Sequence, residues 1–249
     1  MNRLTIEQIH KCKTGKVSDK WASYLPFYDD IFKNYRTQQL NLLEIGVQNG
    51  GSLETWRTFF INANNILIGC DLDERCVNLR YDDSRVHVVV GDANNPATVK
   101  KIKAVCNNFD IVIDDGSHLS SDILNSFCCY FPLLNPGGLY VIEDTHTLYM
   151  NDWGGGVLNE SSANSFFKKL IDVINIQFWK DDLPIDVYFR TFFSLGEIPA
   201  FIKEGWIDSI EFRNSLILIR KSLIPTNEKL GLRLITGSNA TVYPLTDKN

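Results

Sequence analysis

Two short segments of this 249-residue chain concentrate carboxylates and imidazoles: Ile113-Asp114-Asp115-Gly116-Ser117-His118 and Ile142-Glu143-Asp144-Thr145-His146-Thr147. Each closes an apolar, β-branched run, so each stands where a strand ends. If those strands are neighbours in a parallel sheet, Asp115, Glu143 and Asp144 converge at the carboxyl edge, where α/β folds bind ligands. Clustered carboxylates repel unless a cation sits among them, and all-oxygen ligation selects a hard ion such as Mg²⁺. Such an ion would bind a substrate hydroxyl and stabilise its alkoxide. His118, three residues after Asp115, is placed to take the hydroxyl proton, because imidazole titrates near neutrality. The chain holds only four histidines, His10, His87, His118 and His146. His146 reads as a substrate contact or a loop residue, with a supporting partner of the metal ligands as a third reading. His10 and His87 belong to no constellation.

A second constellation lies earlier in the chain. Glu44-Ile45-Gly46-Val47-Gln48-Asn49-Gly50-Gly51-Ser52 ends one strand and opens a helix. Glycines there permit a tight turn and close backbone approach, and the helix N-terminus offers free N–H donors. Gln48 stands where a dinucleotide-binding loop needs its second glycine, which counts against a pyrophosphate. A carboxylate at Glu44 suits an ammonium group or a hydrogen-bond network instead. Asp71, at the end of the next strand, can bond both ribose hydroxyls, and Asp92 of Gly91-Asp92-Ala93 is placed for an adenine amino group.

The elements that must position these groups alternate. Strands are expected at Leu40–Gly46, Ile66–Asp71, Val86–Gly91, Phe109–Asp114 and Leu139–Asp144, the last after a Pro136-Gly137-Gly138 turn. Helices are expected at Ser52–Phe60, Pro96–Val105, Ser120–Tyr130 and Ser162–Val173. Strands this apolar need cover on both faces, which implies a parallel sheet in an α/β layer architecture. Ile207–Phe212 and Leu216–Arg220, joined through Arg213-Asn214-Ser215, read as a hairpin that gives the sheet an antiparallel edge. Residues 224–249 read as a surface tail with a weak strand at Leu232–Ile235.

Composition narrows the class. The chain is 44% hydrophobic and 22% charged with a formal net charge of −5, which excludes disorder and disfavours nucleic acid or an anionic membrane as partner. Its longest apolar runs fall far short of the roughly 20 residues a membrane-spanning helix needs. No signal-peptide stretch opens the sequence, so a soluble, cytoplasmic protein is expected. None of the six cysteines forms a CxxC pair, which leaves a zinc or thioredoxin-type site without support.

Glu44-x-Gly46-x-x-x-Gly50, Asp71 and Gly91-Asp92 together resemble the class I S-adenosylmethionine-dependent methyltransferases. The resemblance implies a Rossmann-like, seven-stranded, mostly parallel sheet with an antiparallel C-terminal hairpin and helices on both faces. It also implies that Glu44, Gly46, Gly50 and Ser52 hold the methionine end, Asp71 the ribose and Asp92 the adenine, with Asp114 alongside. Ile113–His118 and Pro136–Asp144 are similar to segments of the metal-dependent sugar O-methyltransferases of macrolide biosynthesis and their polysaccharide-cluster relatives. Cephalosporin hydroxylase-like proteins share much of the pattern. The implied cofactors are S-adenosylmethionine and Mg²⁺, with Asp115, Glu143 and Asp144 as metal ligands and Asp115 and His118 as the catalytic pair. The acceptor expected is a hydroxyl of a sugar or of a glycosylated or nucleotide-linked intermediate. Catechol-type methyltransferases are similar too, but have lysine where His118 stands. Ser18-Asp19-Lys20-Trp21, with Tyr24 and Tyr28, resembles an upstream element of the group that folds over the cofactor.

On this reading residues 1–39 are a helical cover, 40–222 the methyltransferase domain with a substrate insert at 148–206, and 223–249 a tail. Leu148–Gly156 is a candidate lid with glycine hinges; Tyr149 and Trp153 are its platforms for a sugar ring, or else core residues. Trp179, Phe192 and Phe193 are expected in the core, and exposed aromatics in 178–206 offer a surface for a homo-oligomer. Two rival readings are a hydroxylase-like oxidoreductase on the same fold and a non-catalytic cofactor-binding accessory. An iron site would need a second well-placed histidine, and only His118 and His146 are available.

Overall fold

A computed structural model describes residues 4–180, 183–239 and 241. Two helices, α1 (Ile6–Cys12) and α2 (Tyr24–Phe32), precede an alternation of β1 (Asn41–Ile45), α3 (Gly51–Phe59), β2 (Ile66–Asp71), β3 (Val86–Val90), α4 (Pro96–Val105), β4 (Phe109–Asp114), α5 (Ser120–Tyr130) and β5 (Leu134–Ile142). After β5 come α6 (Ala163–Ile174), two short helices α7 (Ile185–Tyr188) and α8 (Ala200–Lys203), and the hairpin β6 (Ile207–Arg213) and β7 (Leu216–Lys221). The seven strands lie in the order β3-β2-β1-β4-β5-β7-β6, with β7 antiparallel to both of its neighbours. This is the Rossmann-like methyltransferase architecture with its reversed C-terminal edge. No helix among the described residues is long and apolar enough to cross a membrane.

Strand pleating divides the core in two. Leu43, Ile45, Val112, Tyr140 and Ile142 face a layer built from α4, α5, α6 and α8. Leu42, Ile111, Ile113, Leu139 and Val141 face the layer of α1, α2 and α3. The same parity carries past the strand ends. Glu44, Asp115 and Glu143 continue the second set, so three carboxylates from adjacent strands point toward α1–α3. Asp114 continues the first set.

Local chemistry explains the boundaries. Asn95 caps α4 by accepting from the Ala97 N–H, with Pro96 at its first position, where the missing N–H costs nothing. Ser162 caps α6 by accepting from the Ser165 N–H. Two expectations need correction. Pro136-Gly137-Gly138 lies inside β5 rather than ahead of it: the register with β4 slips between the Phe109–Leu134 and Ile111–Leu139 pairs, and Gly137 takes φ +79° in the irregularity. Leu232–Ile235 forms no strand. Its side chains are exposed, and an isolated apolar run with no sheet edge beside it has no partner for its backbone. The tail's last residues, 240 and 242–249, lie outside the described residues. Phe192 and Phe193 are partly buried against the first core, and Trp179 packs edge-on to Tyr188.

The Phe127 ring centres the first core, fully buried and 4.9–6.0 Å from the rings of Phe131, Tyr140, Phe166, Phe167 and Phe201. Truncation to Phe127→Ala is expected to cost about 3–5 kcal/mol by lost transfer energy plus the cavity left behind. Urea unfolding followed by circular dichroism measures it.

Candidate active site

The carboxyl ends of β1, β2, β3 and β4, with the exit of β5, open into one cavity of about 630 Å³. Gly46, Ser52, Asp71, Asp92, Asp114, Asp115, His118, Glu143 and Asp144 line it, so most of the residues singled out in the sequence meet there. Gly46 is required by geometry. It sits at φ +83°, and a Cβ there would fall 1.9 Å from the Asp115 carbonyl oxygen. Gly50 lies outside the lining; at φ +75° it caps α3, and its carbonyl accepts from the Tyr81 hydroxyl. Glu44 is likewise behind the wall, fully buried, accepting from Ser52 Oγ at 2.7 Å and Trp56 Nε1 at 3.1 Å.

Asp71 organises the loop it was expected to accompany. Its Oδ2 accepts from the Val47 and Gln48 N–H groups at 2.8 and 2.7 Å, and its Oδ1 from the Asp73 N–H. Those bonds hold Gln48 in the left-handed region at φ +46°. Asp92 Oδ1 accepts from the Asn94 N–H. Asp114 is buried beneath the cavity floor, and burial pushes its carboxyl up to about 7.

The carboxylates at the β4 and β5 exits form two groups. On the inner side, the Lys20 ammonium donates to Asp115 Oδ2 and Glu143 Oε1, both at 2.6 Å, and lies 3.6 Å from Glu44 Oε1. Glu143 Oε1 also accepts from the Tyr28 hydroxyl at 2.6 Å. Burial opposes the charge on Lys20, but Glu143, Asp115 and Glu44 outweigh it and hold the ammonium's pKa well above its usual range. On the outer side, Asp115, His118 and Asp144 each present one ligand atom, all within 4.8 Å of one another. His118 Nε2 is 4.0 Å from Asp115 Oδ1 and 3.7 Å from Asp144 Oδ2. His118 and Asp144 both adopt left-handed backbone, at φ +58° and +53°. Such conformations cost about 1–3 kcal/mol each and cluster where function over-determines them.

Three expected substrate residues stand beyond this centre. His146 Nδ1 lies 2.6 Å from Ser215 Oγ, and its ring meets Trp21 edge-on. The Trp153 ring centre is 6.1 Å from that of His118, in a side groove of about 320 Å³ that also includes Ser120, Asn125 and Phe192. Tyr149 is half exposed, borders neither space and lies beneath the Lys168 ammonium. Lys20, Tyr24 and Tyr28 were expected only as parts of an upstream element that folds over the cofactor, without partners at the acidic edge, and Ser215 only as part of the hairpin turn. In the folded sheet, strand parity puts Glu44, Asp115 and Glu143 on one face, which calls for a buried cation there. Nothing local showed that residue 20 supplies it.

Residues 43–145 match the protein family described as a methyltransferase domain, Methyltransf_24. The chain is 39% identical over 173 residues to the mycinamicin VI 2''-O-methyltransferase of Micromonospora griseorubida, which covers 66% of this chain and 41% of that protein. The chain is similar to the macrolide sugar O-methyltransferases, and residues 43–145 match a methyltransferase domain. It is also 36% identical over 165 residues to a rhamnosyl tetracenomycin-C 2'-O-methyltransferase of Streptomyces olivaceus, covering 62% of this chain and 42% of the relative. It thus spans less than half the length of these curated relatives. Among solved structures, the MycE methyltransferase of mycinamycin biosynthesis, in complex with Mg and SAH, superposes with a TM-score of 0.71 at 29% identity. That match covers 92% of this chain and 56% of MycE. Another MycE structure also contains mycinamycin VI.

Removing the inner cation tests the electrostatics of the methyltransferase domain. Lys20→Met leaves Asp115 and Glu143 facing each other in a buried setting, and a stability loss of about 3–5 kcal/mol is expected at neutral pH. The loss should shrink as pH falls below about 8, where burial places the Glu143 carboxyl, because a protonated carboxyl needs no counter-charge. Urea titrations of both proteins from pH 8 to pH 5 read the difference.

Proposed function

We propose that this protein transfers a methyl group from S-adenosylmethionine to a hydroxyl of a sugar or glycosylated small molecule, with a divalent cation such as Mg²⁺. The observation that carries the reading is the Asp115–His118–Asp144 group at the rim of the cavity, within a domain related to sugar O-methyltransferases. Its donor set fits a hard cation. Two carboxylates and an imidazole present atoms close enough to share one ion, and Glu143, bonded to Lys20 on the inner side, lines the same cavity. Asp115, Glu143 and Asp144 would hold it. His118 is assigned to the proton rather than to the ion, since carboxylates satisfy a hard cation and imidazole is the softer donor.

When bound, the cation supplies positive charge that favours ionisation of the acceptor hydroxyl, and S-adenosylmethionine supplies the electrophilic methyl group. The chain's own residues do the rest. Gly46 lets the backbone approach the ligand, with Glu44 and Ser52 at the methionine end and Gly50 setting the turn. Asp71 and Asp92 are placed for ribose hydroxyls and adenine, with Asp114 in the floor between them. His118 Nε2, between Asp115 and Asp144, accepts the hydroxyl proton, and both neighbours stabilise the imidazolium that forms. Orientation of the two reactants in one cavity supplies most of the remaining acceleration.

The acceptor enters from the side where Trp153 and His146 flank the centre. Trp153 offers an apolar face to a sugar ring, and the groove beyond it has hydroxyl and amide donors. Tyr149, expected as a third contact, borders neither the cavity nor this groove. We read residues 1–39 as the cover, 40–222 as the catalytic domain with the 148–206 insert shaping acceptor choice, and 223–249 as a tail.

A methyl-transfer screen against free glycosides and nucleotide-linked sugars, with and without Mg²⁺, tests the reading. Turnover is expected only with the ion and should vanish in EDTA. Asp115→Ala should lower turnover at least 10³-fold while S-adenosylhomocysteine binds within a few-fold of wild type by calorimetry. His118→Ala should lower it about 10²–10⁴-fold, the range for loss of a general base. Activity that survives EDTA and Asp115→Ala would remove the cation from the mechanism.

A further inference from the structure

The segment before α2 makes contacts that a simple cover does not need. It is fixed at one end to α3, where the Gly51 N–H donates to the Val17 carbonyl and Lys13 Nζ donates to the Gly51 carbonyl. From there it crosses the cavity mouth, and four polar side chains in or just after it turn toward the acidic edge. Lys20 and Tyr28 bond Glu143 Oε1. Trp21 Nε1 and the Tyr24 hydroxyl donate to Asp144 Oδ1 at 3.0 and 2.7 Å.

Asp144 is the residue that most needs such support. It stands two residues past the end of β5, has left the ladder and sits at φ +53°, so its own backbone does not favour the position. Tyr24 holds it twice, because the hydroxyl that donates to Oδ1 also accepts from the Asp144 N–H at 3.2 Å. The same hydroxyl is 2.7 Å from Ser215 Oγ, in the β6–β7 turn, where Ser215 is itself at φ +65°. Ser215 Oγ continues to His146 Nδ1, and the Ser215 carbonyl accepts from the Thr145 N–H. Three segments far apart in sequence therefore close around one carboxylate. With Oδ1 taken by two donors, Oδ2 is the oxygen that faces His118 and the outer group.

We propose that Tyr24 and Trp21 are positioning residues for the cation site: they tie Asp144 Oδ1 so that Oδ2 is presented to the ion beside Asp115. The inference rests on the cation reading above. It assigns the N-terminal segment the task of setting one metal ligand, in addition to covering the cavity.

Binding of Mn²⁺ alone to the full chain, read by electron paramagnetic resonance of the free ion, tests this without turnover. Tyr24→Phe removes the hydroxyl and Trp21→Phe the indole N–H with part of its ring, and each keeps an aromatic side chain. Each is expected to weaken Mn²⁺ binding at least threefold, while S-adenosylhomocysteine affinity stays within twofold. Tyr35→Phe, whose hydroxyl bonds only the distant Gly137 carbonyl among the contacts described, is the control and should bind Mn²⁺ like wild type. Wild-type binding that is lost in Asp144→Asn but changes less than threefold in Tyr24→Phe and Trp21→Phe overturns the positioning role alone. Wild-type protein that binds S-adenosylhomocysteine but no Mn²⁺ at millimolar concentration overturns the cation reading, and the positioning role with it.

Discussion

Like charges gathered at one sheet edge set the terms for the rest of this molecule. Strand order puts β1, β4 and β5 side by side, and pleating sends Glu44, Asp115 and Glu143 to the same face. Three carboxylates in that space, two of them fully buried, would repel and shed their charge by taking up protons. Lys20 opposes this, although burial still holds the Glu44 carboxyl above its usual range and pushes Glu143 up to about 8. Its ammonium, itself almost wholly buried, sits between Asp115 and Glu143 and within reach of Glu44. A buried ion pair of this kind adds little net stability compared with an apolar substitute, because desolvation offsets most of the attraction. Its effect is to draw the three acids to one cation and hold them in place.

That arrangement leaves an excess of negative charge with a direction. Lys20 satisfies the inner oxygens of Asp115 and Glu143, whereas Asp115 Oδ1 and Asp144 Oδ2 face outward with His118. One edge thus has a neutralised inner layer and an unbalanced outer one. The unbalanced layer lines the cavity, and its His118 ring lies 6.1 Å, centre to centre, from Trp153 of the neighbouring groove. Strained backbone marks the same place. Gln48, His118, Asp144 and Ser215 are the non-glycine residues at positive φ among those described, and all belong to the cavity lining or to the Tyr24 network beside it.

Much of this was legible in the sequence. The βα alternation, the hairpin, the helices Pro96–Val105 and Ser120–Tyr130, and the gathering of Asp71, Asp92, Asp115, His118 and Asp144 at one edge all follow from local signals. Apolar runs of period two, caps and glycine turns act over a few residues, and strand ends in a parallel sheet fall on one edge by construction. The expected turn at Pro136–Gly138 proved to be an irregularity within β5, because turn residues signal a break in backbone direction but not whether the ladder resumes on both sides. Leu232–Ile235 had the composition of a strand but no neighbour to pair with.

The sequence alone therefore determined which strands carry acids at their ends. Only the tertiary structure decided what stands opposite them. Lys20, Trp21, Tyr24 and Tyr28 reach Asp115, Glu143 and Asp144 across more than ninety residues of chain, and Ser215 arrives from the hairpin turn. No periodicity links such positions. Their meeting depends on how α1, α2 and the crossing segment settle on the α3 side of the sheet, which is set by packing of a shared apolar core and not by any local pattern.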